Sequence, residues 1–301
     1  MVFAFIIASV FVVLSVVLPF AVGGGRYAAR IERMLPKTVG LALPVALLPS
    51  IRARNRALVV RLSIGLGAGA IGALLISLPI PSAENSIDFA KAWVVMGGVA
   101  IGAIIGTCSW VATEATRRAT QDAPLQRPTG VGLFDYLPTW STVLAAVVLV
   151  LALGVGALLA WIDGLGVVEP GGEPKFLPIV IAIYGVVAAL ILGLVFIAVQ
   201  LHRPQRAANP EELAWDDALT SQAIFPVVYL SGFFTALLVG QLSSGLSSAI
   251  PYSDRADAVR GVLLLVIAAP LPVYALALVS VLARPARHFL KRLWSVVPRV
   301  A

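Results

Sequence analysis

Residues 177–200 read LPIVIAIYGVVAALILGLVFIAVQ, a run without a single charged side chain. A helix on a soluble protein keeps one polar face, and this run has none. About 20 apolar residues are enough to cross the hydrocarbon of a bilayer. Six further runs have the same character, near 2–22, 62–80, 92–112, 138–162, 223–247 and 259–283. The whole chain agrees with them. Its 301 residues are 59% hydrophobic and 12% charged, with a mean hydropathy of +0.96, whereas soluble domains are about 25% charged. The bilayer has to be the solvent for much of this chain, and only helices or closed barrels satisfy their backbone there. The expectation is an all-α, polytopic transmembrane helix bundle with seven predicted spans. It forms one transmembrane domain over 1–301.

The loops set the orientation. With the N-terminus outside, the segments 23–61, 113–137, 201–222 and 284–301 are cytoplasmic and hold 18 Arg and Lys residues; the outer segments hold 4. That bias satisfies the positive-inside rule. An even number of spans would put one of the two most basic segments, 23–61 or the tail, on the wrong side. The reading is therefore N-out/C-in, a multi-pass protein of the cell (plasma) membrane. The run 2–22 lacks a basic n-region and is longer than a signal-peptide core, so it is expected to stay as a reverse anchor. The tryptophans fit headgroup levels: Trp93 and Trp161 at outer ends, Trp110 and Trp140 at inner ends, Trp215 and Trp294 in inner segments. After the first span the chain reads as three hairpins with short outer turns, whose mutual similarity is too weak to decide whether they are repeats.

Helix packing is written in the small residues. Gly65, Gly69 and Ala73 recur every fourth residue in the second span, and Gly98, Gly102 and Gly106 in the third. Such ridges let helix backbones approach closely. The short turn between these spans favours an internal contact over a homodimer face. The sixth span is the most polar. Ser231, Thr235, Gln241, Ser244 and Ser248 are its candidate polar-cavity residues, and Gln241, Ser244 and Ser248 share a face. Pro270 and Pro272 should kink the seventh.

No Asp, Glu, Lys, Arg or His falls in the middle of a predicted span, which argues against proton pumps, proton antiporters and voltage sensors. The seventh span offers no lysine for a retinal Schiff base. His202 and His288 are juxtamembrane, out of place for bundle haem ligation or an intramembrane Ser–His hydrolase. No zinc spacing, HExxH or P-loop is present, and Cys108 stands alone. No catalytic, metal or cofactor residue is assigned, and no cofactor is expected. The net charge of +7 lies in loops and not on a folded basic domain, so nucleic acid is not an expected partner.

The stretch EELAWDDAL, 211–219, concentrates acids just before the sixth span. A magnesium site would want acids spaced by three or four in two clusters, and the pattern here does not match. Asn209 and Pro210 instead look like a helix start, with Glu211 and Glu212 at the positive end of its dipole. The expectation is a capped juxtamembrane helix, anchored in the interface by Trp215. Glu211, Glu212, Trp215, Asp216 and Asp217 would then form a docking surface for a cytoplasmic protein. LAWDDAL before an apolar span, in an Arg-rich and Lys-poor chain, resembles uncharacterised multi-spanning integral membrane proteins of actinobacteria. That resemblance implies no site.

Two cytoplasmic segments are expected to lie in the interface. TVGLALPVALLP, 38–49, is too short to span and is broken by proline. The tail RPARHFLKRLWSVVPR reads as an amphipathic helix with Phe289, Leu293, Trp294 and Val297 toward lipid. Its Arg287, Lys291 and Arg292 would meet anionic lipid headgroups, each worth about 1 kcal/mol near the surface.

The functional expectation is an integral membrane protein without an evident catalytic site. It would act as an accessory or permease-like subunit docking a cytoplasmic partner or other membrane subunits. A transporter for a lipid or neutral solute is the alternative, and a membrane enzyme acting on a lipid-linked substrate is the third reading.

Overall fold

The computed structural model describes residues 2–79, 89–120, 125–127, 131–164, 177–203, 205–249, 257–263 and 287–294. Among them the chain is all-α apart from one two-stranded ribbon. The helices are α1 (Val2–Gly23), α2 (Gly25–Val39), α3 (Leu48–Ser77), α4 (Phe89–Thr120), α5 (Leu133–Tyr136), α6 (Thr139–Gly164), α7 (Leu177–Leu201), α8 (Pro210–Ala249) and α9 (His288–Leu293). The strands β1 (Leu125–Arg127) and β2 (Gln205–Ala207) pair antiparallel, with Gln126 opposite Arg206.

Six of these helices, α1, α3, α4, α6, α7 and α8, are long and apolar enough to cross a membrane. The predicted seventh span, 259–283, and its Pro270 and Pro272 lie almost wholly outside the described residues; 257–263 is helical. Two helices begin well before the predicted spans. α3 starts at Leu48 instead of 62, and α8 at Pro210 instead of 223. Both carry charged residues into the helix, and Arg52, Arg54 and Asp216 among them are ion-paired.

α4 is the hub of the bundle, packed against α1, α3, α7 and α8. Its tightest seam is with α3, where the two glycine ridges meet in antiparallel register. A Cβ on Gly102 would sit 2.0 Å from the Gly65 carbonyl oxygen, and one on Gly69 would sit 2.1 Å from that of Gly98. Gly106 backs onto the Arg61 carbonyl in the same way. No side chain fits there, so the backbones touch directly. α1 lies on α3 with Ser15 against Gly67.

The other half is built on α8. Phe225, Tyr229 and Phe233 stack at four-residue spacing along it, with centroids 6.2 and 6.4 Å apart. Trp140 of α6 meets Phe225 edge-on at 5.3 Å, a preferred aromatic geometry. α7 packs on both α4 and α8. Apolar side chains face outward along α1, α6 and α7, as lipid-facing helices require.

The alternation of long helices gathers α2, α5, α9, the ribbon and both charged helix starts at one end of the bundle. The stretch 38–49, expected along the interface, is a turn at this end. α2 stops at Gly40, whose φ of +81° is the left-handed conformation that glycine adopts without strain. Ala42 then gives its carbonyl to the Trp215 indole at 3.0 Å, and a 3-10 turn, Val45–Leu47, leads into α3.

Candidate functional site: a buried ionic cap

The charged end of the bundle is organised by the first three turns of α8. Asn209 caps the helix, accepting the Glu212 amide at 2.7 Å, and the Glu212 carboxylate accepts the Ala208 amide at 2.7 Å. That reciprocal cap starts the helix where the sequence predicted. Glu211 is exposed. One turn later the helix faces protein on every side, and 213–221 is buried without a break.

Asp216 is fully enclosed. Its carboxylate takes Arg54 of α3 together with Arg117 and Arg118 of α4, the last two at 3.1 and 3.3 Å. Glu114 supplies the second carboxylate, 2.8 Å from Arg54 Nε and 3.1 Å from Arg117 Nε. Arg118 Nη2 also donates to the Asp216 carbonyl (3.0 Å) and to Thr220 Oγ1 (2.6 Å). Trp110 Nε1 donates to the Arg54 carbonyl at 3.2 Å. Three guanidiniums and two carboxylates thus join α3, α4 and α8. Charges removed from water are tolerated only when paired and hydrogen-bonded in this way.

Asp217 points to a second group. It accepts the Tyr136 hydroxyl at 2.7 Å and the Trp294 indole N–H at 2.8 Å. Gln205 of β2 reaches the same hydroxyl at 3.5 Å. Burial, and then the Asp217 charge, hold the Tyr136 phenol well above its ordinary range near 10. The tail is fastened here as well. Phe289 is fully buried, and Arg287 donates to the Lys37 and Thr38 carbonyls at the end of α2. His288 Nε2 lies 3.2 Å from the Phe134 carbonyl, and Arg292 lies 3.6 Å from Asp135.

These contacts change several predicted roles. Of the five residues expected to form a docking surface, Trp215, Asp216 and Asp217 are buried, Glu212 is spent on the cap, and Glu211 alone is exposed. Trp215 is no lipid anchor, because its N–H crosses to Ala42. Trp110 and Trp294 likewise bond protein groups. In the tail, Phe289 and Trp294 face the cap and not lipid. Arg287 and Arg292 are engaged by protein, Lys291 is exposed, and Val297 lies outside the described residues. An amphipathic helix has one apolar face, and the cap competes for it with the bilayer.

The candidate cavity residues of α8 differ in exposure among the described residues. Ser231 and Thr235 are buried, and the Ser231 hydroxyl bonds its own helix at the Val227 carbonyl. Gln241 and Ser244 are exposed, and the Ser248 side chain lies outside the described residues. A cleft beside the ionic network encloses about 10 Å³, lined by Trp110, Glu114, Arg118, Gln200, Arg203 and Thr220. That is room for about one water. Among the described residues no His, Cys, Asp and Glu side chains group as a metal site.

Sequence reasoning missed Arg54, Glu114, Arg117, Arg118 and Tyr136 as members of this site. One signal was present: basic residues precede the second span and follow the third, at the same end as the acids of EELAWDDAL. No protein-family model, no curated protein and no solved structure matches the chain.

Proposed function

We propose that this chain is a seven-span protein of the plasma membrane, with its N-terminus outside and its C-terminus in the cytoplasm. It acts there as an accessory or permease-like subunit that docks a cytoplasmic partner. One observation carries the reading. The charged connections do not hang as separate loops; Asp216 and Asp217 gather α3, α4, α5, α8 and α9 into one folded cap. A cap held this firmly is pre-organised, and pre-organisation lowers the entropy cost of binding a partner. The positive bias of the same end supports its placement in the cytoplasm. The docking face is the exposed remainder of the cap and not the EELAWDD segment.

Two experiments test this. In a Cys108→Ser background, single cysteines replace Asp257 and Glu211, both exposed, at opposite ends of the bundle. An impermeant maleimide should label the first in intact cells and the second only after lysis; the reverse pattern sinks the orientation. Gentle affinity purification from native membranes should recover a stoichiometric second protein. Recovery of the chain alone with one enriched lipid would favour the transport or lipid-enzyme readings.

A further inference from the structure

Arg61 of α3 and Arg203 of α7 stand outside the ionic network. Among the described residues no carboxylate pairs with either. Neutral oxygens of α4 hold them instead. Arg61 Nη1 donates to the Ser109 carbonyl and to Thr113 Oγ1, and Arg203 Nη1 donates to Thr116 Oγ1 at 3.4 Å. Thr113 and Thr116 are three residues apart on one helix, so they are surface neighbours, about 5–6 Å apart at Cβ. Two cations from two helices are thus fixed side by side on a third. Thr113, Thr116 and Arg203 are exposed, and Arg61 is half-buried. The acid beside them, Glu114, is buried and spent on Arg54 and Arg117. A guanidinium carries five N–H donors, and these bonds use Nη1 alone on each arginine.

Depth decides what the pair meets. On α7 the outward apolar side chains run from Ile181 to Val199, after which His202 and Arg203 are exposed. That row is about 27 Å long at 1.5 Å per residue, close to the ~30 Å hydrocarbon thickness. Arg203 lies roughly 6 Å beyond Val199, and the headgroup layer on each side is about 5–8 Å thick. The neighbouring helices change character at the same end. α4 exposes Ile105 by 61%, and then Ser109, Thr113 and Thr116. α3 exposes Ile64 by 60% and reaches Arg61 within one turn toward the charged end. Ile105 and Thr116 are about three turns apart and share a face of α4. The arginine pair therefore stands at the headgroup level, with apolar side chains on the same helices below it.

That arrangement matches a molecule with a phosphate above and an apolar chain beneath. Arginine forks fit phosphate oxygens. A zwitterionic headgroup would bring its own ammonium toward two positive charges, and an anionic one would not.

We propose that Arg61 and Arg203, fixed on Thr113 and Thr116, clamp the phosphate of an anionic glycerophospholipid whose chains lie along Ile64 and Ile105. The site needs only that the helices cross a bilayer, and it stands apart from the docking reading.

The test reads lipid retention by the full chain, purified in mild detergent and mixed with equal amounts of phosphatidylglycerol and phosphatidylcholine. Native mass spectrometry counts the lipids that stay bound. The parent should keep phosphatidylglycerol in preference to phosphatidylcholine. Arg61→Met with Arg203→Met should lower that retention about tenfold, the loss expected from two basic residues that each attract an anionic headgroup. Arg33→Met with Arg56→Met removes two exposed charges elsewhere and should leave it unchanged. Millimolar inorganic phosphate should not displace the lipid, because the ion has no chain to lay on Ile64 and Ile105. Equal retention of both lipids, equal loss in both double variants, or full retention without Arg61 and Arg203 would each overturn the proposal. Displacement by phosphate would overturn it in favour of a free anion. Arg203 is exposed, so Arg203→Met alone carries the test if the double variant melts below the parent. About threefold weaker retention is then expected, and no change would overturn the clamp.

Discussion

Replacing Asp216 with asparagine keeps the side-chain shape and removes the charge that three arginines share. Asp216 is completely enclosed, and the side chains of Arg54 and Arg118 are only 11% and 5% exposed. Arg117 is 35% open, so water screens much of its share. Removing one partner of a buried ion pair costs about 3–5 kcal/mol, because the remaining charge stays buried without compensation. Glu114 still holds Arg54 and Arg117 after the change, which places the expected loss near the lower end, about 3 kcal/mol. At roughly 2–4 °C per kcal/mol for domains approaching this size, Asp216→Asn should melt about 6–12 °C below the parent. Size-exclusion melting in mild detergent reads this directly. Glu211→Gln, five residues away and exposed, should change melting by no more than ~1 °C. A cycle with Arg54→Met then isolates the pair: the double variant should recover at least about 1 kcal/mol of the summed single losses. If Asp216→Asn and Glu211→Gln melt together, the ionic network does not hold the cap, and the argument for a pre-organised docking face fails with it.

Other outcomes follow from the same geometry. Gly102→Ala puts a methyl group 2.0 Å from the Gly65 carbonyl and should cost about 1–3 kcal/mol by forcing α3 from α4, while Gly154→Ala, with nothing within 4 Å, should be neutral or stabilising by up to ~1 kcal/mol; equal melting of the two would disprove direct backbone contact. Trp294→Phe deletes the indole hydrogen bond to Asp217 and should cost about 1.5 kcal/mol, with faster tryptic cleavage at Arg287 and Arg292 as the tail loosens; an unaltered digest would show that the indole does not fasten it. Tyr136 carries a sign with pH. Its folded phenol stays protonated above the ordinary value near 10, where an unfolded one ionises, so its contribution is complete below about pH 10. It is lost as pH climbs toward the folded value, at up to ~1.4 kcal/mol per pH unit. Tyr136→Phe should flatten that alkaline decline, and parallel curves would contradict the assignment.

The parts of the fold that could be read from sequence were those whose cause is local. A run such as 177–200 is long and apolar enough to span because nothing in it needs to face water, and the four-residue recurrence of Gly65, Gly69, Gly98 and Gly102 serves a close helix contact. The helix start at Asn209 and Pro210 was legible for the same reason, since a cap is completed within four residues. The site was misread because its causes are distant. Arg54 meets Asp216 across 162 positions and Trp294 meets Asp217 across 77, and no local period reports such pairs. Hydropathy therefore scored Arg52 to Arg61 as loop, although Arg52 is held by Glu32, Arg54 by Asp216 and Glu114, and Arg61 by the Ser109 carbonyl inside a continuous helix, with Arg56 exposed.

The tail shows the same limit differently. Of its predicted apolar face Phe289 is buried and Leu293 and Trp294 are half-buried, but the pattern of Phe289 and Trp294 fits a bilayer and a protein groove equally well, and the bond to Asp217 is what draws Trp294 to the cap. What did bear on the site was a mismatch of charge. Arginines open the second span and close the third at the end where EELAWDDAL opens the sixth. Leu213, Trp215 and Leu219 are interleaved with its acids, and no glycine or proline breaks the helix between Pro210 and Pro226. Acids set among apolar residues on an unbroken helix cannot all be solvated. In a bundle whose neighbouring helix ends are basic, the place of the enclosed Asp216 is between those arginines.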